Sequence, residues 1–449
     1  MTMFPLAPQA ALAAGVLGAL SLGLMRRPPP LALRALALAS IVGAMLLAVG
    51  LPADAYSSPI LLTDAKSIGW QYLIYLGALP LAYWLDGEDD VLTALFLGAV
   101  LGMSLLASAA NLAMMFIALE FMSLPAYLLV ARSRRGDRAL EAAIKYFFAG
   151  GVAGALFMLG LALYYADTHG LAASAALSPL GQAGATLMAA AALFKLGAFP
   201  LNWWLPDVYE ASAPEVSGFL STAMKSAAVL FLMRLCELAP EAAFIAWLPA
   251  IGALTALTGA VMALRQERLQ RLFAYSSISN AGLLIIGVGA WAVSGRSTEG
   301  VSALLFFLGA YAFMSNGTFA FIKYSGCETR AQLKGRGAAM PAAAAAFTIL
   351  LFALGGIPPT GGFMAKLLLL WRAVDASLLW PAAAGALSAL ISLAYYLGMI
   401  RDLWFEKADQ SVSFKPGAGA VLVIACAAGI VLLGAAPWLM SSLAGGLVR

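Results

Sequence analysis

The sequence predicts an all-α, polytopic membrane protein of about 14 transmembrane helices, with two inverted five-helix repeats and broken helices 7 and 12. Three observations predict it. The 449 residues are 63% hydrophobic and 11% charged, with mean hydropathy +0.90; a soluble chain carries about 25% charged residues. Apolar runs near the ~20 residues of a bilayer crossing recur along the whole chain. Two of these runs carry proline and glycine interruptions at matching places. Unpaired backbone groups cannot face hydrocarbon, so the runs must be helices.

Reading apolar runs against charged or Gly/Pro punctuation places the helices at 6–25, 31–51, 68–85, 90–109, 111–131, 143–166, 182–204, 215–238, 243–264, 270–292, 300–323, 340–371, 377–403 and 417–440. The opening stretch MTMFPLAPQ lacks the positive n-region of a cleaved signal, so the first helix is expected to be permanent. Helices 7 and 12 stand five apart, which fits repeats of helices 4–8 and 9–13. An odd-numbered repeat inverts its copy automatically, because the next helix starts from the other side. The expected regions are 1–88, 89–240 and 241–405, followed by 406–449 with the last helix.

Basic residues set the orientation. The loops after odd-numbered helices hold Arg26, Arg27, Arg34, Arg132, Arg134, Arg135, Arg138, Arg265, Arg268, Arg271, Lys323, Arg330, Lys334, Arg336, Arg401, Lys407 and Lys415. The opposite side holds Lys66, Arg234, Arg296, Arg372 and Arg449. Positive residues stay cytoplasmic, so both termini are expected outside. The acidic DGEDD loop on the cytoplasmic side does not oppose this, because acids contribute little to the rule.

Four lysines remain, all inside predicted spans: Lys145, Lys195, Lys225 and Lys366. One carboxylate, Glu120, sits near the middle of helix 5. A charge at mid-bilayer costs about 2.5–3.5 kcal/mol on insertion scales. Five facing lipid would rival the stability of a typical domain. They are therefore expected to face the interior, to pair, or to touch water. Lys145, about three residues inside its helix, has a second reading as a snorkelling interfacial cation. Glu120 has a second reading as a purely structural partner. The residue type is informative, because arginine holds its proton at any attainable pH and lysine does not. Burial favours the neutral amine and a neighbouring carboxylate the charged one. A lysine held between these influences can load and release a proton, and a changing Glu120–Lys195 distance would act as the switch.

The breaks point the same way. KLGAFP in helix 7 places Pro200 just after Lys195, and LGGIPPTGGFMAK in helix 12 places Pro358 and Pro359 just before Lys366. Broken helices at corresponding positions of two halves mark the mid-membrane site of inverted-repeat transporters. Each break frees backbone groups at mid-depth that can hold water beside a lysine. A packing kink is the plainer reading of either break alone. Within YSSISN of helix 10, Ser276, Ser277 and Asn280 extend a polar path between Lys225 and Lys366, or simply glue helices together. Asp207, Glu210 and Glu215 are expected in a solvated loop on the cytoplasmic side, with proton gathering as a second reading.

Other chemistry is excluded by count. Cys236, Cys327 and Cys426 are scattered and His169 is the single histidine. No metal, haem or iron–sulfur ligand set follows, and no cofactor is expected. A net charge of +4 implies no nucleic-acid partner.

These residues resemble the antiporter-like membrane subunits of respiratory complex I, NADH-quinone oxidoreductase, and subunit N in particular. The resemblance rests on ALEFMSLPAYLLVA, EAAIKYFFAG, LFKLGAFPLNWWLPDVYE, GFLSTAMKSAA, RLFAYSSISNAG and GGIPPTGGFMAK, and covers nearly the whole chain. It implies fourteen helices with inverted repeats 4–8 and 9–13. It also implies a proton-translocating subunit without a redox centre of its own, driven by quinone reduction elsewhere in the complex. Glu120 matches the helix 5 glutamate, Lys195 its helix 7 partner, Lys225 the central lysine, Lys366 the helix 12 terminal group and Lys145 a further helix 6 lysine. The implied partners are the other membrane subunits and the lipid bilayer, with quinone only indirectly, and the implied location is the bacterial cytoplasmic membrane. A lysine on helix 12 argues against subunit M, and the end of the chain after helix 14 against subunit L. Family members often carry histidine where this chain has Asn202 and Asn280. GAPTPV of the family reads ASAPEV here. These departures leave a multisubunit Mrp-type cation/proton antiporter or a membrane-bound hydrogenase relative as alternative parents.

Overall fold

A computed structural model describes residues 5–25, 30–51, 56–85, 89–174, 176–407 and 418–436. Arg26, Arg27, Lys415, Arg449 and residues 86–88 of the acidic loop lie outside the described residues. The helices are α1 (Ala7–Gly23), α2 (Pro30–Val49), α3 (Ala65–Trp84), α4 (Asp90–Ala107), α5 (Leu112–Ser133) and α6 (Asp137–Thr168). Then come α7 (Pro179–Leu196), α8 (Trp204–Ala211), α9 (Pro214–Leu238), α10 (Phe244–Ala263), α11 (Leu269–Val293) and α12 (Thr298–Ser325). The last are α13 (Arg330–Leu333), α14 (Pro341–Gly355), α15 (Gly361–Asp375), α16 (Leu379–Trp404) and α17 (Ala418–Ala435), with a 3₁₀ turn at Arg336–Ala338. A two-residue ladder, β1 (Tyr56–Ser57) with β2 (Leu62–Thr63), precedes α3. Among the described residues, nine helices are long and apolar enough to cross a membrane.

Helix starts follow local chemistry. Asp64 caps α3 through the Ser67 N–H, with Ser67 returning the bond in a capping box. Asp89 caps α4, Asn111 caps α5 and Thr360 caps α15, each accepting from a backbone N–H of the first turn. The run predicted as one helix at 340–371 is two helices, α14 and α15. The run predicted at 182–204 stops at Leu196, and the chain resumes helix at Trp204. Gly197 and Gly356 adopt φ of +70° and +79°, the left-handed conformation that ends a helix cheaply only at glycine. The Phe199–Pro200 and Pro358–Pro359 peptides are cis.

The chain forms two compact units. The first holds Met1–Leu196 with Ala223–Ala246, and the second holds Gly197–Thr222 with Trp247–Gly445. In the first unit α4 packs on α1, α3 and α5, and α6 packs between α5 and α7. In the second, α11 and α12 pack on α15 and are almost wholly buried. The outward face of α6 carries Phe147, Phe148, Val152 and Leu159, all exposed. A patch of that kind suits acyl chains or another membrane subunit, not water.

One ion-pair network lies inside the first unit. Arg234 of α9 donates to both oxygens of Asp64, at 2.8 and 3.0 Å, and to Glu237 at 3.0 Å. Lys66 completes it on Glu237 at 2.5 Å. The side chain of Arg234 is 9% exposed.

Candidate functional site

In the first unit the site is built on α5, α6 and α7. Lys195 lies in the last turn of α7, where the C-terminal carbonyls favour a cation. It is 5% exposed and donates to the Tyr127 hydroxyl of α5 at 3.0 Å. Its ammonium also stands 5.0 Å from the Tyr127 ring and 5.4 Å from the Tyr146 ring of α6, within cation–π range. Tyr127 and Tyr146 meet edge to face, and Tyr146 reaches the Met224 sulfur at 3.2 Å. Glu120, seven residues before Tyr127 on the same face of α5, has Lys195 as its electrostatic partner. Glu120 is only partly buried.

Small residues on α6 make this possible. A Cβ on Gly154 would lie 2.9 Å from Glu120 Oε1, and one on Gly150 would overlap the Tyr127 hydroxyl. The glycines of FAGGVAG thus leave room for the carboxylate and the phenol. Lys225, also in this unit, is 2% exposed on α9.

Lys145 departs from the buried set expected of it. Its side chain is 42% exposed and pairs with Glu141 at 2.8 Å, one turn back. Helix α6 begins at Asp137, six residues before the predicted start, so Lys145 lies well inside the helix, and its side chain is on an exposed face. An exposed i,i+4 pair contributes about 0.3–0.5 kcal/mol. Lys145→Gln is therefore expected to leave the thermal midpoint of the purified protein within about 2 °C of the parent, as read by a melting curve.

In the second unit Lys366 is 6% exposed and donates to the Leu354 carbonyl at 2.5 Å. Leu354 belongs to the last turn of α14, whose carbonyls the break leaves without helical partners. The two breaks thus place an ammonium at a helix C-terminus by different routes: Lys195 precedes its break, and Lys366 follows its own. Ser276 and the Tyr396 hydroxyl are 2.5 Å apart, and Ser277 faces Tyr209 at 3.5 Å. Asn280 donates to the Ser276 carbonyl at 2.9 Å, while its buried Oδ1 has no hydrogen-bond partner among the described residues.

The three acids expected in a solvated loop are all helical and ion-paired. Asp207 and Glu210 lie on α8 and accept from Arg271 at 2.7 and 3.0 Å. Arg268 pairs with Glu210 at 3.2 Å, and Glu215 with Lys323 at 2.5 Å. Gln270 secures the end of α8, donating to the carbonyls of Tyr209 and Ser212 and to Ser217 Oγ. The loop reading failed because α8 is only eight residues long, too short for apolar periodicity to register. Tyr127, Tyr146, Gln270 and Tyr396 were not singled out from the sequence. Only the seven-residue spacing from Glu120 to Tyr127 could have flagged one of them.

A family model described as NADH:quinone oxidoreductase/Mrp antiporter, TM, matches residues 109–392, well over half of the chain. The chain belongs to this family. Members similar to it include NADH-quinone oxidoreductase subunit N 1 of Chloroherpeton thalassium, 36% identical over 75% of this chain and 73% of the relative. Subunit N 1 of Solibacter usitatus is 33% identical over 90% of this chain and 88% of its own. A chain in the structure of respiratory complex I from Thermus thermophilus with bound Aureothin superposes with TM-score 0.86 at 30% identity, covering 97% and 99% of the two chains. A chain of the Mrp complex from Dietzia sp. DQ12-45-1b shares the fold with TM-score 0.88 at 18% identity, covering 99% of this chain and 97% of its own. The chain is thus a multi-pass membrane member of the NADH:quinone oxidoreductase/Mrp antiporter family.

Proposed function

We propose that this chain is the antiporter-like N-type subunit of an NADH-quinone oxidoreductase, and that it moves protons while other subunits carry the electrons. The reading rests above all on Lys195, a buried cation in the last turn of a broken helix with Glu120 as its electrostatic partner. Glu120, Lys195 and Lys225 would work in the first unit and Lys366 in the second. Lys145, with its exposed pair to Glu141, would serve at the helix surface. Loading Lys195 with a proton is favoured while Glu120 is ionised and near. Release follows when that carboxylate is neutralised or moves away. The phenol of Tyr127 accepts from the ammonium and can donate to the neutral amine, so it serves both states.

The wider architecture belongs to the same proposal: about fourteen crossings, inverted repeats over predicted helices 4–8 and 9–13, both termini outside, and the bacterial cytoplasmic membrane as location. The other membrane subunits of the complex and lipid would be the neighbours, with quinone engaged elsewhere. The subunit would hold no redox centre.

The test is proton translocation by the assembled complex in proteoliposomes. Glu120→Gln and Lys195→Ala are each expected to lower it by about a hundredfold or more, the scale on which general acid–base groups act. Replacing sodium with choline is expected to change nothing. Normal acidification in both variants would end the proton-path reading, and sodium dependence would favour an Mrp-type parent.

A further inference from the structure

The last helix, α17, lies outside both expected repeats and carries no lysine, arginine, aspartate or glutamate. The proposed proton path gives it no role. Its last turn nevertheless meets the second helix break, backbone against backbone. A Cβ on Gly434 would overlap the Pro359 carbonyl oxygen and stand 2.6 and 2.7 Å from the Thr360 carbonyl carbon and the Gly361 nitrogen. From the other side, a Cβ on Gly361 would stand 2.8 Å from the Leu433 Cβ and 3.0 Å from the Ile430 carbonyl oxygen. Ile430 and Leu433 are buried. Backbones come this close only where glycine removes the side chain.

The break is gripped on its far side as well. A Cβ on Gly362 would overlap the Ala353 carbonyl oxygen near the end of α14 and stand 2.8 Å from the Met314 sulfur of α12. Ala353 precedes Leu354, whose carbonyl accepts from Lys366. Thr360 caps α15 through the Phe363 N–H and donates to the Ile357 carbonyl at 2.7 Å, which ties residues 357–363 into one piece. Helix α17 is itself anchored one and two turns earlier. A Cβ on Gly429 would stand 2.8 Å from the Phe313 ring of α12, and one on Gly317 of α12 would stand 2.7 Å from the Cys426 Cβ. A bump on the last turn of α17 is therefore passed to the break, because the helix behind it has no room to retreat.

We propose that α17 is a backstop for the second break, with Gly434, Gly361 and Gly362 as positioning residues that hold Lys366 at the Leu354 carbonyl; this rests on the proton-translocating reading above. Non-bonded carbons rest about 3.5–4 Å apart, so a methyl at position 434 drives the break inward by roughly 1 Å. The start of α15 then presses on the end of α14, where Gly362 leaves no slack. Lys366 lies five residues into α15, so its ammonium shifts against the Leu354 carbonyl that α14 supplies. Gly434 touches no proton carrier and acts only through this displacement. Helix packing by itself tolerates such a shift, whereas a bond between an ammonium and one carbonyl does not.

The experiment compares assembled, reconstituted complexes carrying Gly434→Ala, Lys366→Met or the control Gly429→Ala with the parent. Gly429→Ala adds the same methyl to the same helix, but against the half-buried ring of Phe313, a side chain that can turn. The readouts are proton translocation rate, thermal midpoint, and hydrogen exchange of the backbone amides at 356–363 by mass spectrometry. Gly434→Ala should slow translocation by about tenfold or more, toward the ~10²-fold that a misplacement of about 1 Å can cost. Exchange across the break should quicken in the same variant. Gly429→Ala should translocate at the parent rate and leave exchange at the break unchanged, even where its thermal midpoint falls as far. That contrast separates positioning from lost stability. If Gly434→Ala fails to assemble, Gly361→Ala decides on the same readouts, since its methyl meets the same helix at 2.8–3.0 Å without overlap. Translocation by Gly434→Ala within about twofold of the parent, or equal slowing in Gly429→Ala, would overturn the backstop, and an inactive Lys366→Met would leave the proton path standing. A normal Lys366→Met would remove Lys366 from the path, and the backstop with it.

Discussion

Lys225→Met is expected to assemble like the parent and to translocate almost no protons. The side chain is 2% exposed on a helix whose most apolar stretch is wholly buried, so the site is a packed interior and not a lipid face. Replacing a buried charge by an apolar group of similar volume is often neutral or stabilising. Methionine fills the lysine's volume with a flexible chain. If Lys225 served only to hold helices, Lys225→Met would cost little and transport would persist. If it carries protons, the loss should reach about 10²-fold, at the low end for a general acid–base group. Lys225→Arg sharpens the contrast. It keeps the charge, but the guanidinium does not release its proton, so it should be as inactive as Lys225→Met. Acidification of proteoliposomes, normalised to assembled complex, checks both. Transport by the arginine variant at more than about half the parent rate would show that charge, not proton release, is what the position supplies.

What could be read from the sequence divides along a physical line. The helices were legible because each carries its own signal: a long apolar run, a cap such as Asp64 or Asn111, or a Pro/Gly interruption at 200 or 358–359. Lys195, Lys225 and Lys366 were legible because a cation in such a run has no cheap alternative to the interior. Their hydrogen-bond partners were not legible. Tyr127 is 68 residues from Lys195, and Tyr396 is 120 residues from Ser276. Nothing local distinguishes a phenol that bonds a lysine from one that packs. Lys145 misled for a related reason. Its expected depth assumed that helix 6 begins at 143; α6 begins at Asp137, and Lys145 lies well inside it, on an exposed face beside Glu141.

The breaks show a further limit. Proline and glycine announced that helices 7 and 12 stop at mid-run. They did not announce that Lys366 would take the carbonyl of Leu354 twelve residues back. The expectation was that freed carbonyls hold water and water meets the lysine. At the second break a freed carbonyl meets the ammonium directly. Under the proposed function, proton release from Lys366 would require that bond to loosen or the amine to turn, because a carbonyl accepts but cannot carry a proton away.

Arg234→Met is expected to destabilise the protein by about 3 kcal/mol, the low end for breaking one side of a buried pair. Arg234 is 9% exposed and holds Asp64 with two bonds and Glu237 with one. Removing it strands Asp64, which also caps α3, while Lys66 still neutralises Glu237. Asp64 and Glu237 are 25% and 20% exposed, so water recovers part of the loss. Adding Asp64→Asn should restore about half of the stability, because the carboxamide carries no stranded charge and can still accept from the Ser67 N–H. Arg234 lies nine residues beyond Lys225 on α9, about 13 Å along its axis at ~1.5 Å per residue. Arg234→Met complexes that survive purification should therefore translocate protons at the parent rate, unlike those of Lys225→Met. Thermal unfolding with a double-mutant cycle over Asp64 and Arg234 measures the coupling. An additive cycle, or a thermal midpoint unchanged in Arg234→Met, would show that this network holds nothing together.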